Sequence, residues 1–496
     1  MLKSLWNGVN GVKTQNLGVD ITANNISNVN TIGFKRTSSE FADIFYQRVV
    51  SRSANPAEIG NGSLLSASKV VYEQGSFTDG EGEFDVGLMG KGFFGVRGFS
   101  QTYYTRNGEF TRDGNSYLVD ASGNFVLGTV NPNLVPTQFS NRVAQAMGRL
   151  NGTNDLVTSG FTVNNPNQDF TIAPSTMQTK LFVPSKNMYY FPEVTTQATF
   201  KGTISAVLNT ATQRIGLNTN NGTTLTKTAT TGTLNGSLAG ATQTGTIGED
   251  KAFGVRVYNL DGSVSSLKYN LHLTNTDRTE KDDFIYEVVA GVYDDNGALI
   301  GSESRGQITF DKFGSLKQNT LTSVPNPQGG VININFGTPT NSPSTDRTGA
   351  GWDGVYILRD STSDEITASG NGVAEGFFNR YQIEQDGSII AQFTNGKTVT
   401  VGKLALYTFI NEQGLAVVGG NNFMATSNSG AASFLYDNEG KLVRPALFVG
   451  KKLEMSNTDL STELTNLIVM QRGFEASSKS ITTSDSMLQT AIGLKK

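Results

Sequence analysis

LKSLWNGVNGVKTQNLGVDITANNISN, residues 2–28, and SNTDLSTELTNLIVMQRGFEASSKSITTSDSMLQTAI, residues 456–492, decide the fold. In the first, Leu2, Leu5, Val9, Val12, Val19, Ala23 and Ile26 fall on alternating three- and four-residue steps, with Asn16 the one polar member. In the second, Leu460, Leu467, Phe474, Ile481 and Leu488 repeat every seventh residue, and Leu464, Met470, Ala491 and Ile492 widen the stripe. Such rows predict amphipathic helices with a narrow seam that another helix must cover. The residues between read almost wholly as β-structure. The expected fold class is therefore mainly β with terminal α-helices, the N- and C-terminal helices forming a coiled-coil-like core and nested β-domains filling the middle.

The first helix is weak by itself. Gly8, Gly11 and Gly18 each cost on the order of 1 kcal/mol relative to Ala. Burying a seam Leu, Val or Ile returns about 1.5–3 kcal/mol, and only once a partner covers it. The segment is expected to be mobile in a free monomer and helical once packed; a core helix of a globular domain is the plainer alternative. Directly after it, Asn24, Asn25, Asn28 and Asn30 precede Gly33. Asn favours local backbone hydrogen bonds over helix continuation, so the run marks a helix end, with Phe34 opening an extended segment. The same amides offer donors and acceptors for contacts between subunits.

Composition narrows the function classes. At 496 residues the chain has room for roughly three or four domains, and its 56 glycines imply many turns. A formal net charge of −4 gives no basic face for nucleic acid. With no cysteine and only one histidine, His272, thiolate and His-rich metal sites are excluded, and a Ser-His-Asp triad would depend on that residue. No window reaches the ~18–20 apolar residues of a membrane span. The N-terminus lacks the apolar core and cleavage site of a secretory signal peptide, as in a cytosolic protein or one exported with its N-terminus intact.

Taken in order, residues 1–30 with 453–496 read as a terminal helical assembly domain, and 31–78 with 441–452 as an extended connecting arm. Residues 79–145 with 365–440 read as an inner β-domain. Short strands there are punctuated by Asn107-Gly108, Asp113-Gly114 and Ser122-Gly123. Residues 146–364 form an inserted outer β region. Within it, 207–247 is a Thr/Gly/Asn-rich insertion, and 253–336 alternates as a β-sandwich or barrel would. Ser456-Asn457-Thr458-Asp459 supplies the start of the second helix.

Motifs for chemistry are few. Gly90-Lys91-Gly92-Phe93-Phe94-Gly95 matches G-x-G-x-x-G, but Val96-Arg97-Gly98 and an aromatic strand follow where a phosphate site needs a helix N-terminus. Asp294–Gly297 and Asp79–Glu83 lack calcium-loop spacing and read as solvated turns. His272 lies in an alternating run and reads as a strand residue. No nucleophile elbow and no distinct carboxylate pair occurs. The expectation is no catalytic residue, no cofactor and no metal.

Four motifs carry a resemblance. ANNISNVNTIGFK (23–35) closely resembles the N-terminal signature of bacterial flagellar axial proteins, the rod and hook subunits. The tail 456–494 resembles their C-terminal helix. GKGFFGVRG (90–98), YTRNGEFTRDGNSYLVDASGNFVLG (104–128) and LALYTFINEQGLAVVGGNNFMATSNSG (404–430) are similar to their shared β-domain. Phe253–Ser263 with Ile308–Leu316 is similar to the outer β-domain of hook subunits, whereas residues 46–75 are similar in part to the distal rod.

The resemblance implies a hook subunit, with a distal rod subunit as the alternative and a surface-exposed adhesive β-protein behind both. It implies self-assembly into a flexible hollow helical tube that passes torque from motor to filament. The terminal helices would line the tube, and the insertion would face outward. Leu2, Leu5, Val9, Val12, Val19, Ile26, Leu460, Leu464, Leu467, Phe474, Ile481 and Leu488 would then form the polymerisation interface. Asn24, Asn25, Asn28, Thr31, Gly33 and Phe34 are the family motif. The implied partners are other copies, the distal rod, hook cap and hook–filament junction proteins and the flagellar type III export apparatus. The implied location is the extracellular hook, reached without a cleaved signal peptide. Neither nucleic acid nor membrane insertion is expected.

Overall fold

Helices stand at the two ends of the chain in a computed structural model. It describes residues 2–44, 46–50, 57–153, 155–166, 168, 170, 178–185, 187–205, 233–238, 241–246, 250–274, 281–328, 330–358, 364–436, 442–443 and 445–494. α1 runs Leu2–Ser27 and α3 Leu460–Gly493, with a short α2 at Asn141–Leu150. The sequence reading did not anticipate α2. Val143, Ala144 and Met147 bury one side of it, a pattern too brief to stand out by periodicity. α3 begins where an acceptor is available: the Asp459 carboxylate accepts from the Thr462 N–H at 2.8 Å, and Glu463 lies in the first turn. Both place negative charge at the helix N-terminus, where unpaired N–H groups attract it.

The described residues divide into two compact units. One comprises Met1–Met188, Phe378–Phe393 and Lys397–Lys496. The other comprises Tyr189–Phe377 and Thr394–Gly396.

In the first unit α1 and α3 pack antiparallel, so the chain ends meet. Leaving α1, the strand Thr37–Asp43 pairs with Ser63–Val70, from Thr37 opposite Val70 to Asp43 opposite Ser63, with a bulge at Glu40/Phe41. Tyr46–Val50 pairs with Ala57–Gly60 beyond it. The β-domain follows, and its main sheet interleaves distant parts of the chain. Ser388–Phe393, Thr398–Leu404, Phe125–Val130, Phe93–Arg97, Thr102–Thr105, Asn422–Met424 and Ala416–Gly419 are neighbours in that order. Phe93, Tyr104, Tyr407, Phe409 and Phe423 close one core of this domain, with Tyr104 edge-on to Phe409 at 4.8 Å between ring centres. Edge-to-face rings suit the quadrupoles of both partners.

The second unit is a β-sandwich. One sheet runs Asp250–Tyr258, Val264–Leu273, Phe284–Tyr293, Ser304–Phe310 and Leu316–Asn319, all antiparallel. The other contains Ser323–Asn326, Gly330–Asn335, Gln197–Ser205 and Val355–Leu358, with Glu365–Gly370 also on Gln197–Ser205. A single core that includes Phe200, Tyr269, Tyr286, Phe310, Ile332 and Ile357 fills the space between. Burial alternates residue by residue along Val264–Leu273, as a strand with one inward face requires. Of the insertion 207–247, a hairpin of Thr233–Leu238 with Ala241–Thr246 is described at the backbone; the rest lies outside the described residues.

Candidate assembly surface and its buried joint

α1 presents three different faces because three kinds of side chain recur along it. The first is small. Ser4 Oγ lies 3.0 Å from Ser484 Oγ, and a Cβ on Gly8 would come within 2.7 Å of Ile481 Cγ1. Gly11 abuts Ser477, Gly473 abuts Gln15, and Gly18 abuts Met470. The matched positions descend along α3 as they ascend along α1, which defines the antiparallel register. Glycines that weaken α1 in isolation are thus what let the two backbones approach.

The second face is polar and reads backbone. Asn7 Nδ2 donates to Gly60 O at 3.3 Å, Asn10 Nδ2 to Asn61 O at 3.1 Å and Thr14 Oγ1 to Ser63 O at 2.9 Å. These residues sit three and four apart, on one side of the helix. They strap the hairpin arm along α1.

The third face is apolar and open. Trp6 is 62% exposed, and on α3 Leu464, Ile468, Val469 and Phe474 are 44%, 57%, 61% and 39% exposed. Large apolar side chains left exposed along a helix pair mark a candidate interaction site. Of the residues picked from the sequence, Leu5, Val9, Val12, Val19, Ile26, Leu467, Ile481 and Leu488 are half-buried, and Leu460, Leu464 and Phe474 are exposed. The side chain of Leu2 lies outside the described set.

The seven-residue stripe does not aim squarely at α1, for a geometric reason. At 3.6 residues per turn a strict heptad drifts about 20° per repeat, so Leu460 and Leu488 point roughly 80° apart. Ile481 meets α1 at Gly8, Leu467 and Leu488 are half-buried, and Leu460 and Phe474 are exposed. Trp6, Leu17, Ile468, Val469 and Met487 were not picked from the sequence although all are exposed. Their signal is a second apolar row outside the heptad.

The Asn-rich motif acts within the chain. Buried Asn25 grips Thr37 at both ends of its amide, donating to Thr37 O at 2.8 Å and accepting from Thr37 N at 2.9 Å. Asn28 Nδ2 donates to Asn24 O at 2.9 Å, and Thr31 Oγ1 pairs with Asn28 Oδ1 at 3.1 Å. Gly33 has φ +69°, and a Cβ there would meet Asn107 N at 2.5 Å, so the chain presses backbone against the β-domain. Phe34 is half-buried, and its carbonyl accepts from Asn457 N at 3.4 Å.

Beside this motif lies a buried ionic joint. Lys35 Nζ is 2.6 Å from Glu454 Oε1, and Arg106 Nη1 is 3.3 Å from Glu454 Oε2. Gly75 N also donates to Glu454 Oε1, at 3.0 Å. Arg106 Nη2 donates to Gly90 O at 2.7 Å, and its guanidinium sits 5.6 Å from the centre of the Phe93 ring. Burial pushes the Lys35 ammonium and the Arg106 guanidinium below their ordinary pKa values, and the Glu454 carboxylate pulls both back up. Local patterns do not reveal the joint, because Glu454 lies 419 and 348 residues from its two partners.

The hexapeptide Gly90–Gly95 joins the strands Val86–Gly90 and Phe93–Arg97, so no helix N-terminus stands behind it. His272 sits in the strand Val264–Leu273, opposite Glu287 and Asp250.

Three family models match the chain. Residues 5–35 match the flagella basal body rod protein, 87–175 the flagellar hook protein FlgE/F/G D1 domain, and 450–494 the flagellar basal body rod FlgEFG protein C-terminal region. The flagellar hook protein FlgE of Borreliella burgdorferi is 28% identical over 515 residues, covering 100% of both chains. Over its full length the chain is similar to flagellar hook proteins. FlgE of Treponema pallidum is 27% identical over 100% of both chains. FlgE of Salmonella typhimurium is 25% identical over 99% of this chain and 100% of its own. Among solved structures, Helicobacter pylori flagellar hook protein FlgE2 is similar at a TM-score of 0.44 and 16% identity, covering 76% of this chain and 100% of that one.

Proposed function

We propose that this chain is a structural subunit of the bacterial flagellar hook, polymerising through α1 and α3 into a flexible hollow tube that carries motor torque to the filament. The observation that carries the reading is the division of labour on the helix pair. Small residues of α1 let α3 approach, and Trp6, Leu464, Ile468, Val469 and Phe474 are left exposed for other copies. The relatives that match end to end are named hook proteins. The flagellar basal-body rod protein FlgG of Borreliella burgdorferi matches over 28% of this chain and 55% of its own, so the distal rod reading is not favoured.

The interface in this reading comprises Leu5, Val9, Val12, Val19, Ile26, Leu460, Leu464, Leu467, Phe474, Ile481 and Leu488, together with Leu2. Its partners are further copies in the tube, the distal rod below, the cap and hook–filament junction proteins above, and the flagellar export apparatus. The role is mechanical, with no catalysis and no cofactor.

Electron microscopy of concentrated full chain and of a chain lacking residues 1–28 tests this. Tubes from the full chain and none from the shortened one, whose β-domains keep their circular dichroism, are the expected results. Tubes from the shortened chain, or a fixed small oligomer of the full chain at every concentration, would remove the reading in favour of a surface-exposed binding protein.

A further inference from the structure

The joint holds two buried cations against one buried anion, and the three belong to different parts of the chain. Lys35 follows α1, Arg106 lies in the β-domain, and Glu454 precedes α3. Glu454 is 419 residues from Lys35 and 348 from Arg106. Its two oxygens are shared between them. The cations have other hydrogen-bond partners: Glu73 O accepts from Lys35 Nζ at 2.7 Å, and Gly90 O accepts from Arg106 Nη2 at 2.7 Å. Carbonyls satisfy donors but cancel no charge. Without Glu454 the same pocket would hold two desolvated positive charges side by side, which disfavours closing it.

The surrounding bonds run through the same carboxyl-bearing segment. Gly33 N donates to Glu454 O at 2.7 Å, and Arg36 N to Asn457 Oδ1 at 2.8 Å. Asn457 Nδ2 donates to Val71 O at 2.8 Å and to Glu73 O at 3.0 Å. The segment that leaves α1 therefore rests on the segment that enters α3 as much as on the β-domain.

We propose that Glu454 is a charge lock, so that residues 31–36 dock on the β-domain only once the C-terminal segment has delivered its carboxylate. α1 and α3 are then seated together or not at all. A chain that lacks its C-terminal segment leaves α1 undocked, and its apolar face is not displayed in the orientation another copy would meet. The lock is a property of the single chain and holds whether or not the hook reading does.

Hydrogen exchange of the full chain, read by mass spectrometry, tests the lock on E454Q, K35M/E454Q and K35M. Gln keeps the shape of Glu and one of its two acceptors, so E454Q removes the charge and turns an amide N–H toward either Lys35 and Gly75 or Arg106. Exchange of amides in 31–37 and 71–75 is expected to rise roughly 100-fold or more in E454Q, while Phe93–Arg97 and Thr102–Thr105 stay protected. Removing one cation in K35M/E454Q restores most of the protection, and K35M alone stays within a few-fold of the parent. If E454Q unfolds throughout, recovery in the double variant still carries the test. Parent-like protection in E454Q, or no recovery in the double variant, overturns the lock.

Discussion

Gly8 and Ile481 touch across the helix pair so closely that a Cβ on Gly8 would stand 2.7 Å from Ile481 Cγ1 and 3.1 Å from Ser477 O. Two effects of enlarging Gly8 therefore oppose each other. Gly8→Leu improves helix propensity by about 1 kcal/mol, whereas overpacking a closed contact costs about 1–3 kcal/mol. Backbone at Ser477 cannot step aside as a side-chain end can, so overpacking wins. The variant is expected to lower the melting temperature of the helical signal in circular dichroism, with the β signal unchanged. A higher helical melting point would show that α1 and α3 do not meet through this glycine in solution.

Leu464 and Phe474 supply the opposite case, since both are exposed in the single chain. Leu464→Asp and Phe474→Asp should leave monomer stability within about 0.5 kcal/mol, as surface changes do. In a tube the same carboxylates would have to enter an apolar seam, a heavy desolvation cost. Sedimentation and electron microscopy are expected to show soluble, folded subunits that do not polymerise. Tubes of ordinary length from either variant would take that residue off the interface.

Asn25 matters through two hydrogen bonds to one residue, Thr37. Asn25→Ala strips a partner from both the N–H and the C=O of Thr37 inside the protein. Each unsatisfied group costs about 1–3 kcal/mol. Denaturant titration of the full chain should show a loss in that range or above, with faster exchange of the Thr37 amide. A loss below about 0.5 kcal/mol would mean that water replaces the amide without penalty.

Asp459 gives a pH signature. Its carboxyl is held below the ordinary value of 3.8 chiefly by the N–H of Thr462. A carboxyl lowered in the folded chain stabilises the start of α3 at all pH above 3.8, and that contribution is lost as pH falls through the lower folded value. The Thr462 amide shift, followed by NMR, should titrate in that acid window, and Asp459→Ala should abolish the step. An unchanged titration in the variant would assign the step to another group.

Much of this was readable because it is local. Residue spacing alone placed α1 and α3 to within a few residues, since an amphipathic row is a property of one element. The alternation of Val264–Leu273 and the turn at Asp261-Gly262 between Asp250–Tyr258 and Val264–Leu273 are legible for the same reason. The Asn-rich run was legible as a helix end, because Asn bonds its own neighbourhood.

The tertiary structure alone decided which faces meet. Hydropathy rows point to large side chains, yet α1 and α3 join through Ser4, Gly8, Gly11 and Gly18, whose advantage is size and carries no hydropathy signal. The sequence by itself determined that two weak helices at the ends need a cover. Only the fold decided that the small residues of α1 receive Ile481, Ser477 and Met470, that Leu464, Ile468, Val469 and Phe474 stay exposed, and that the pair is rooted by Lys35, Arg106 and Glu454. A close backbone approach and an ion pair spanning 419 residues exist only when distant segments share one space.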